Sequence, residues 1–592
     1  MRNRYIIKLI CILFVCLAAA VLVCGCENNA PDSSQTTTTA AVETEPPSSE
    51  ITLIDNGKPL FRLIRPDDAS DEEIAAAIKI REHLVGLCPG ETFVFIDDFS
   101  RDGVYDDSTV EILVGRTGYP QTQEVLDSIS YGDFGVVIVG NKVVVTSWQD
   151  TSMSLLAQRF CDLVTKSLSA DKKTLTLKSE DCFTTTIVPT LSKIPVFGNI
   201  RPDRIVNCGD SAYQIFMSST DTGTYTGITS ELERSGFVSV SQRTVNNNLF
   251  SVYTGNDSAV TVYHTPSNKT TRVIVEPESN YFVSGTSTGT AVTTPKLTMI
   301  GRKYADGNTY LGTEADSGLM CFLIRLSDGR FIVIDGGVSD GSWGSYSQAL
   351  YACMLDQAVD KNNIVIAAWI FTHSHSDHIG GFCSFSAVYS KQVRLESIIL
   401  NFPSEGDSNV SNDEKNAYSR FFGQVSNYYK GTPMYKAHTG HVYNIGDAVI
   451  EIFYTHEDYV TKTRTIASSK NWNNSSLIFS VDIAGERIMF LGDSQEDPNN
   501  LTAKIFGSYL KSDIVQVAHH GGVGGTNAIY AAIDPEIALF TTSDALVPVY
   551  LEKFTYNYYL INQLHVREYY NSATRITSWD LPYHATSSGF IK

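Results

Sequence analysis

Thr372-His373-Ser374-His375-Ser376-Asp377-His378-Ile379-Gly380-Gly381 packs three imidazoles and a carboxylate into one short stretch, directly after the apolar run Ile364–Phe371. Such a run reads as a buried strand that releases polar residues at its C-terminal end. Three other segments repeat the arrangement. Phe331–Ile334 leads into Asp335-Gly336-Gly337, Arg487–Phe490 into Leu491-Gly492-Asp493-Ser494, and Ile514–Ala518 into His519-His520-Gly521-Gly522. Four strands ending this way are expected to line their polar residues along one rim of a sheet, where open α/β architectures place their sites.

Five of the chain's 12 histidines fall in the two strand-end clusters. Imidazoles and carboxylates at that density repel one another or go unsatisfied unless a cation joins them. On an extended turn His373 and His375 point the same way and can share one metal. Asp377 and His378, at the start of a helix, can reach a second. Asp493 comes from another strand and can bridge the two, because a carboxylate offers two oxygens and compensating charge. Imidazole with carboxylate suits Zn²⁺, with Mn²⁺ or Fe as alternatives. Two such ions about 3.5–4 Å apart lower the pKa of a shared water and clamp the group under attack.

The ordered set Asp335, His373-x-His375-x-Asp377-His378, Asp493 and His519-His520 resembles the metallo-β-lactamase superfamily, and the resemblance spans residues 295–592. It implies an αββα sandwich with a dinuclear centre. Asn473-Asn474-Ser475-Ser476-Leu477, Leu491-Gly492-Asp493 and Ala518-His519-His520-Gly521 are similar to the branch that contains extracellular domains of DNA-uptake channels and phosphorylcholine esterases, which implies phosphoester hydrolysis. The resemblance carries over His373, His375, Asp377, His378, Asp493 and one histidine of the adjacent pair as metal ligands. His520 is taken as that ligand and His519 as the group that meets substrate, with the order within the pair open. Asp377 and His519 are the expected catalytic side chains.

The pattern departs from its relatives at one point. Many carry a further metal-binding histidine upstream of the bridging aspartate, where this chain reads Lys470-Asn471-Trp472-Asn473-Asn474. His438, His441 or His456 could substitute only through an unusual loop, and Asn474 or an open coordination position are the other choices. The position of Asp493 holds no cysteine, which argues against hydrolysis of β-lactam antibiotics. Aromatic clusters at Tyr418, Phe421, Phe422, Tyr428, Tyr429 and Tyr435, and again from Phe554 to Tyr570, read mainly as core, with some members available to line a pocket mouth and meet a cationic ligand through their faces.

The 592 residues exceed one ordinary domain. Residues 51–187 read as an α/β domain, with an Asn56-Gly57 hairpin turn and a Ser70/Glu73 capping box before a helix whose expected apolar face is Ile74, Ala77, Ile78 and Val85. Strands are expected at Thr92–Ile96, Val110–Gly115, Val136–Val139 and Val143–Val145, then a helix near Ser152–Leu168. The phrase Glu111-Ile112-Leu113-Val114-Gly115-Arg116 resembles N-terminal domains of carbohydrate-active enzymes, which implies a spacer or a carbohydrate contact. Residues 190–290 read as a small α+β unit whose helix stops at Gly236, with His264 a structural histidine.

Arg2, Arg4 and Lys8 precede an apolar run, Leu9–Val23, that ends in Val23-Cys24-Gly25-Cys26. The run has the length of a signal-peptide core, and the ending resembles a lipoprotein lipobox, so residues 1–26 are expected to be a signal peptide with lipidation at Cys26. Residues 27–50, rich in Thr, Ser and Pro, form a tether. The expected location is outside the cytoplasm, on a membrane through the lipid anchor. The seven later cysteines show no zinc-type spacing. The net charge of −20 disfavours extended nucleic acid as a partner.

The expected function is therefore a membrane-anchored dinuclear metal hydrolase acting on a small phosphoester or another cell-surface substrate. A nuclease of the same fold, or a glycan-binding surface protein with a vestigial metal site, are the alternatives. Cys26→Ser in the full chain is expected to abolish incorporation of radiolabelled fatty acid. Undiminished labelling would refute the anchor.

Overall fold

A computed structural model describes residues 50–592 apart from 101–102, 199, 283–289, 302–319, 342–344, 404–410, 465–470, 573–575, 587–588 and 592. The signal peptide, Cys26 and the tether lie outside the described residues, as does much of the Ser/Thr-rich stretch after residue 282. Among the described residues no helix is long and apolar enough to cross a membrane.

The first layer comes from residues 50–186. Glu50–Asp55 turns at Asn56-Gly57, both at positive φ, and pairs with Lys58–Pro59 and with Leu175–Lys178. A second, six-stranded sheet runs Phe95–Asp97, Arg62–Arg65, Glu111–Val114, Lys142–Ser147, Asp133–Val139, Phe183–Thr186. The first four are parallel and the last two antiparallel. Helices Asp71–Leu87 and Met153–Lys166 cover it around one apolar cluster. The Ser70/Glu73 capping box forms. The expected apolar face of that helix holds at Ala77 but not at Ile78 and Val85. Ile78 and Val85 are 42% and 43% exposed, and the buried stripe is Glu73, Ala76, Ala77, Ile80 and Leu84. Glu73 fixes this rotation: beyond its capping bond, its carboxylate accepts from the backbone N–H of Arg116 and takes the Arg116 side chain, so it must face inward.

A middle layer follows, an antiparallel sheet ordered Arg204–Gly209, Ala212–Ser218, Thr270–Pro277, Ser258–Thr265, Asn248–Gly255, Val238–Val245. Helix Thr222–Arg234 lies on one face and ends before Gly236 at φ +88°. His264 is buried and bonded to Thr271 Oγ1 at 2.9 Å.

Two eight-stranded sheets then face one another. The first contains Lys296–Met299, Phe322–Arg325, Phe331–Ile334, Ile364–Ile370, Val393–Leu395, Ile398–Leu400, Met434–Lys436 and Thr577–Asp580. The second contains Val442–Ile445, Ala448–Tyr454, Ile478–Ile483, Glu486–Phe490, Ile514–Gln516, Ile537–Phe540, Glu568–Asn571 and Gly589–Ile591. Their inner faces share one core, including Phe322, Ile332, Ile370, Ile450, Phe479 and Phe490. Helices Tyr346–Gln357, Ser376–Tyr389 and Asn412–Tyr428 pack outside the first sheet around Trp369, Phe371 and Phe382. Glu496–Phe506, Asn527–Ile533 and Thr555–Gln563 pack outside the second. This is the expected αββα sandwich. Buried on both faces, Ile364–Ile370 reads as an unbroken apolar run rather than an alternating one.

The four strand ends do not share one sheet. Phe331–Ile334 pairs in parallel with Ile364–Ile370, and Glu486–Phe490 with Ile514–Gln516, but in opposite sheets. The polar residues meet at the common edge of the sandwich, across the core. Sequence pattern reports a strand's burial and its ends, and pairing between distant strands decides which sheet it joins.

The middle sheet lies against the second sheet of the sandwich, with Val245, Phe250, Tyr263 and Ile274 in the same cluster as Phe453 and Phe506. Buried charge closes this contact. His438 Nδ1 meets Glu457 at 2.7 Å and its Nε2 meets Glu276, on the middle sheet, at 3.1 Å. His441 bonds Thr261 at 2.8 Å, Tyr263 donates to Asp458 at 2.7 Å, and Arg272 donates to the carbonyls of Asp458 and Val460. Burial works to lower the pKa of His438, but Glu457 and Glu276 outweigh it and push it up to about 10. A folded-state pKa above the unfolded value of about 6.5 stabilises fully below that value, and the stabilisation is lost as pH rises through about 10. His438→Ala leaves two buried carboxylates without a cation and is expected to cost about 3–5 kcal/mol near neutral pH. The deficit should shrink as pH passes 10, where His438 of the wild-type chain loses its proton. Urea unfolding of both proteins across this range checks it.

Candidate functional site

The loop after Ile364–Ile370 delivers His373 and His375, and Asp377 and His378 occupy the first turn of the helix Ser376–Tyr389. Asp493 follows Glu486–Phe490, and His519 and His520 follow Ile514–Gln516. The two sheets touch beneath them. The Leu477 N–H donates to the Thr372 carbonyl at 2.9 Å, and the Asp493 N–H to Ser476 Oγ at 3.0 Å. Gly492, at φ +55°, sits in this contact, where a Cβ would come within 2.9 Å of both Thr372 Cβ and Ser476 Cβ.

Two groups of donors converge there, and Asp493 belongs to both. Asp377, His378, Asp493 and His520 make one, His373, His375 and Asp493 the other, and either group could hold a metal ion. Asp493 Oδ1 lies 3.2 Å from His378 Nε2, and Oδ2 lies 3.3 Å from His520 Nε2, 3.7 Å from His519 Nε2 and 3.8 Å from His373 Nε2. Asp377 Oδ2 is 3.3 Å from His520 Nε2. Despite these approaches, Nε2 of His373, His378 and His520 and Oδ1 of Asp493 make no hydrogen bond, and all are buried. Buried polar atoms left without partners cost about 1–3 kcal/mol each. A set of them aimed at one point fits a divalent cation.

The outward-facing ring nitrogens are all engaged. His378 Nδ1 donates to Asp335 Oδ2 at 2.6 Å, and His375 Nε2 meets Glu414 Oε1 at 2.9 Å. His373 Nδ1 pairs with Thr372 Oγ1 at 3.1 Å, and His520 Nδ1 with Thr541 Oγ1 at 2.7 Å. Each ring is thus anchored on one side and offers its other nitrogen to the centre, as metal-binding histidines do. Asp335, at φ +53° and fully buried, also accepts from the Thr372 N–H and hydroxyl. It stands behind His378, outside both donor groups.

The electrostatics follow from this crowding. Burial works against charge on Asp493, yet His520, His378 and His519 hold its carboxyl well below the usual range. Burial also works against charge on His378 and His520. The surrounding carboxylates reverse this, carrying His378 well above its ordinary value and His520 to about 9. Burial, followed by the charges of His378 and His375, drives His373 well below its ordinary value.

His438, His441 and His456 take no part, being held in the buried contact with the middle sheet and by Asn401. No histidine from that region replaces the missing upstream one. Asn473 Nδ2 lies 3.5 Å from His519 Nε2, while the side-chain oxygens of Asn473 and Asn474 have no partner. Glu414 escaped the sequence reading. Its signal was present in Ser411-Asn412-Asp413-Glu414, a capping box that forms here, but nothing local shows that the second carboxylate oxygen turns to His375. The Trp472 ring lies 6.4 Å from that of His375, with Tyr418 5.8 Å beyond. Phe421 and Tyr429 are core. No disulfide links the seven described cysteines. A cleft of about 660 Å³ opens beside His519, lined by Asn474, Gln495, Glu496, Val523, Gly524 and Tyr556.

Residues 318–529 match the Metallo-beta-lactamase superfamily. No curated protein matches the chain. Among solved structures it is similar to the metallo-β-lactamase fold protein YhfI of Bacillus subtilis, at 12% identity and TM-score 0.28, over 48% of this chain and 100% of that one. It is also similar to a Thermotoga maritima protein assigned as a Zn-dependent hydrolase of the superfamily, at 10% identity and TM-score 0.22, over 50% and 96%. A variant of a flavo-di-iron protein from Thermotoga maritima follows at 14% identity and TM-score 0.18, over 44% and 49%.

Glu414→Gln and Asp335→Asn are each expected to weaken metal binding about 10–100-fold while leaving the circular dichroism spectrum unchanged. Metal titration against a competing chromophoric chelator checks this. Unchanged affinity in both variants would show that these carboxylates do not support the centre.

Proposed function

Starting from a C-terminal metallo-β-lactamase superfamily domain at residues 318–529, we propose that the chain is a metal-dependent hydrolase of phosphoesters, held by two divalent cations at the edge of the sandwich and anchored outside the cytoplasm through Cys26. The observation that carries the proposal is the buried carboxylate of Asp493, shared by both donor groups, with the unbonded Nε2 atoms of His373, His378 and His520 around it. His373 and His375 would hold one cation, Asp377, His378 and His520 the other, and Asp493 both. Zinc suits these ligands best, with manganese and iron the alternatives. Two such ions polarise a phosphoryl group and make water nucleophilic near neutral pH.

The chain's own residues do the remaining work. Asp335 and Glu414 fix the tautomers of His378 and His375, and Thr372 and Thr541 hold the rings of His373 and His520 in direction, so the donors would already be aimed when cations bind. Thr372, Gly492 and Ser476 hold the two sheets at a fixed spacing, which sets the distance between the donor groups. The cleft beside His519 has polar and acidic residues in its walls, among them Asn474, Gln495 and Glu496. The sequence similarity of Asn473–Leu477 and Ala518–Gly521 to the phosphorylcholine-esterase branch supports the phosphoester in preference to an amide.

The full chain is expected to hydrolyse bis(p-nitrophenyl) phosphate or a phosphorylcholine ester in a chelator-sensitive reaction, faster than β-lactams or long DNA. Asp493→Ala is expected to lower kcat/KM by at least about 10²-fold, as loss of a group that supports transition-state charge does. Turnover in ¹⁸O-water should place one solvent oxygen on the phosphate. Activity that survives complete metal removal, or β-lactam turnover without phosphoester turnover, would overturn the proposal.

A further inference from the structure

The two donor groups are unequal. One has three side chains of its own beside the shared Asp493, whereas the other has only His373 and His375. A further ring, outside both donor groups, stands beside the shared Asp493. His519 Nε2 lies 3.7 Å from Asp493 Oδ2, the same oxygen that His373 Nε2 approaches at 3.8 Å. Two donors on one zinc, with bonds of about 2.0–2.1 Å at tetrahedral angles, sit about 3.3 Å apart. These separations are within a few tenths of an ångström of that spacing. We propose that His519 is a ligand of the first metal, so that each histidine of the adjacent pair serves one cation.

The hydrogen bonds of the ring fix its tautomer. His519 Nδ1 lies 2.6 Å from the Val523 carbonyl oxygen. A carbonyl oxygen only accepts, so Nδ1 carries the proton, and in the neutral ring Nε2 carries the lone pair. The Asn473 amide nitrogen, 3.5 Å away, faces that lone pair from the donor side. A metal ligand requires this tautomer. A group that protonates a leaving alcohol through Nε2 would need a second proton on this ring, whereas a metal ligand needs none.

The backbone is arranged to the same end. Neighbouring side chains on a regular strand point to opposite faces, which would turn one of the pair away from the centre. Here His519 and His520 are consecutive left-handed residues, at φ +48° and +59°. Their rings lie 6.0 Å apart, one on each side of Asp493 Oδ2. The loop is tied down around His519. Its N–H donates to the Gly492 carbonyl at 3.0 Å, Tyr556 Oη accepts from the Gly524 N–H and donates to the Gly522 carbonyl, and a Cβ on Gly524 would come within 2.7 Å of His519 Cβ. Unlike the buried rings, the His519 side chain is 27% exposed, on the side of the open cleft.

The inference rests on the two-metal reading above, and the test separates the two. The full chain, its His519→Ala variant and its His519→Cys variant are stripped of metal, titrated with Zn²⁺ or Co²⁺, and analysed for bound metal and for visible absorption. The inference expects two ions per wild-type chain and one per His519→Ala chain. It expects two per His519→Cys chain, with a sulfur-to-cobalt charge-transfer band in the near ultraviolet that the other proteins lack. Two ions in His519→Ala at unchanged affinity, or no such band from His519→Cys, overturns the inference while the hydrolase reading stands. Failure of the wild-type chain to take up any metal overturns both.

Discussion

A buried carboxylate facing several imidazoles cannot be left without a cation, and Asp493 is in that position. Its oxygens lie within 3.2–3.8 Å of nitrogens from His373, His378, His519 and His520. Everything around it maintains this crowding. The left-handed turns at Asp335 and at the histidine pair, the glycine contact at Gly492, and the outer carboxylates and hydroxyls keep the rings pointed at one oxygen pair. In their ordinary protonation states these groups would pay for burial with nothing in return. The surrounding carboxylates raise the pKa values of His378 and His520, the same pull toward positive charge that a cation would meet.

Much of this was legible in the sequence because chemistry of this kind is local. His373 to His378 lie within two turns of chain, and an apolar run ending in polar residues marks a strand and its rim without reference to any partner. The convergence of the strand ends and the approach of Asp493 could be read from those cues, whereas the sandwich and the role of His520 came through the resemblance to metallo-β-lactamases. What could not be read depends on contacts between distant segments. That the four strands divide between two sheets is settled by pairing. That Glu414 meets His375 is settled by where the helix Asn412–Tyr428 docks, and that Glu73 turns its helix inward by the position of Arg116. His438, His441 and His456 were plausible ligands by residue type alone. Their burial against Glu276 and Thr261 belongs to the middle sheet, which carries no catalytic motif and so gave no warning.

That contact changes the status of the middle layer. A sandwich of two sheets and outer helices normally covers its own faces. In this chain part of the second sheet's outer face is covered by strands Asn248–Gly255, Ser258–Thr265 and Thr270–Pro277 instead, through Phe250, Tyr263 and Ile274 against Phe453 and Phe506. Each such side chain contributes roughly 1.5–3 kcal/mol on burial. Arg272 and Glu276 add charges that have their partners only when both layers are present.

Heredity and engineering both meet this constraint as a question of what can be exchanged. The residues before 296 look from the sequence like cargo ahead of an enzyme, free to be swapped or trimmed. Cutting after Pro277 would instead bare Phe453 and Phe506 and take Glu276 away from the buried His438. A transplantable unit has to begin before Arg204, and a lineage that changed its middle layer would have had to rewrite the back of its catalytic sandwich at the same time.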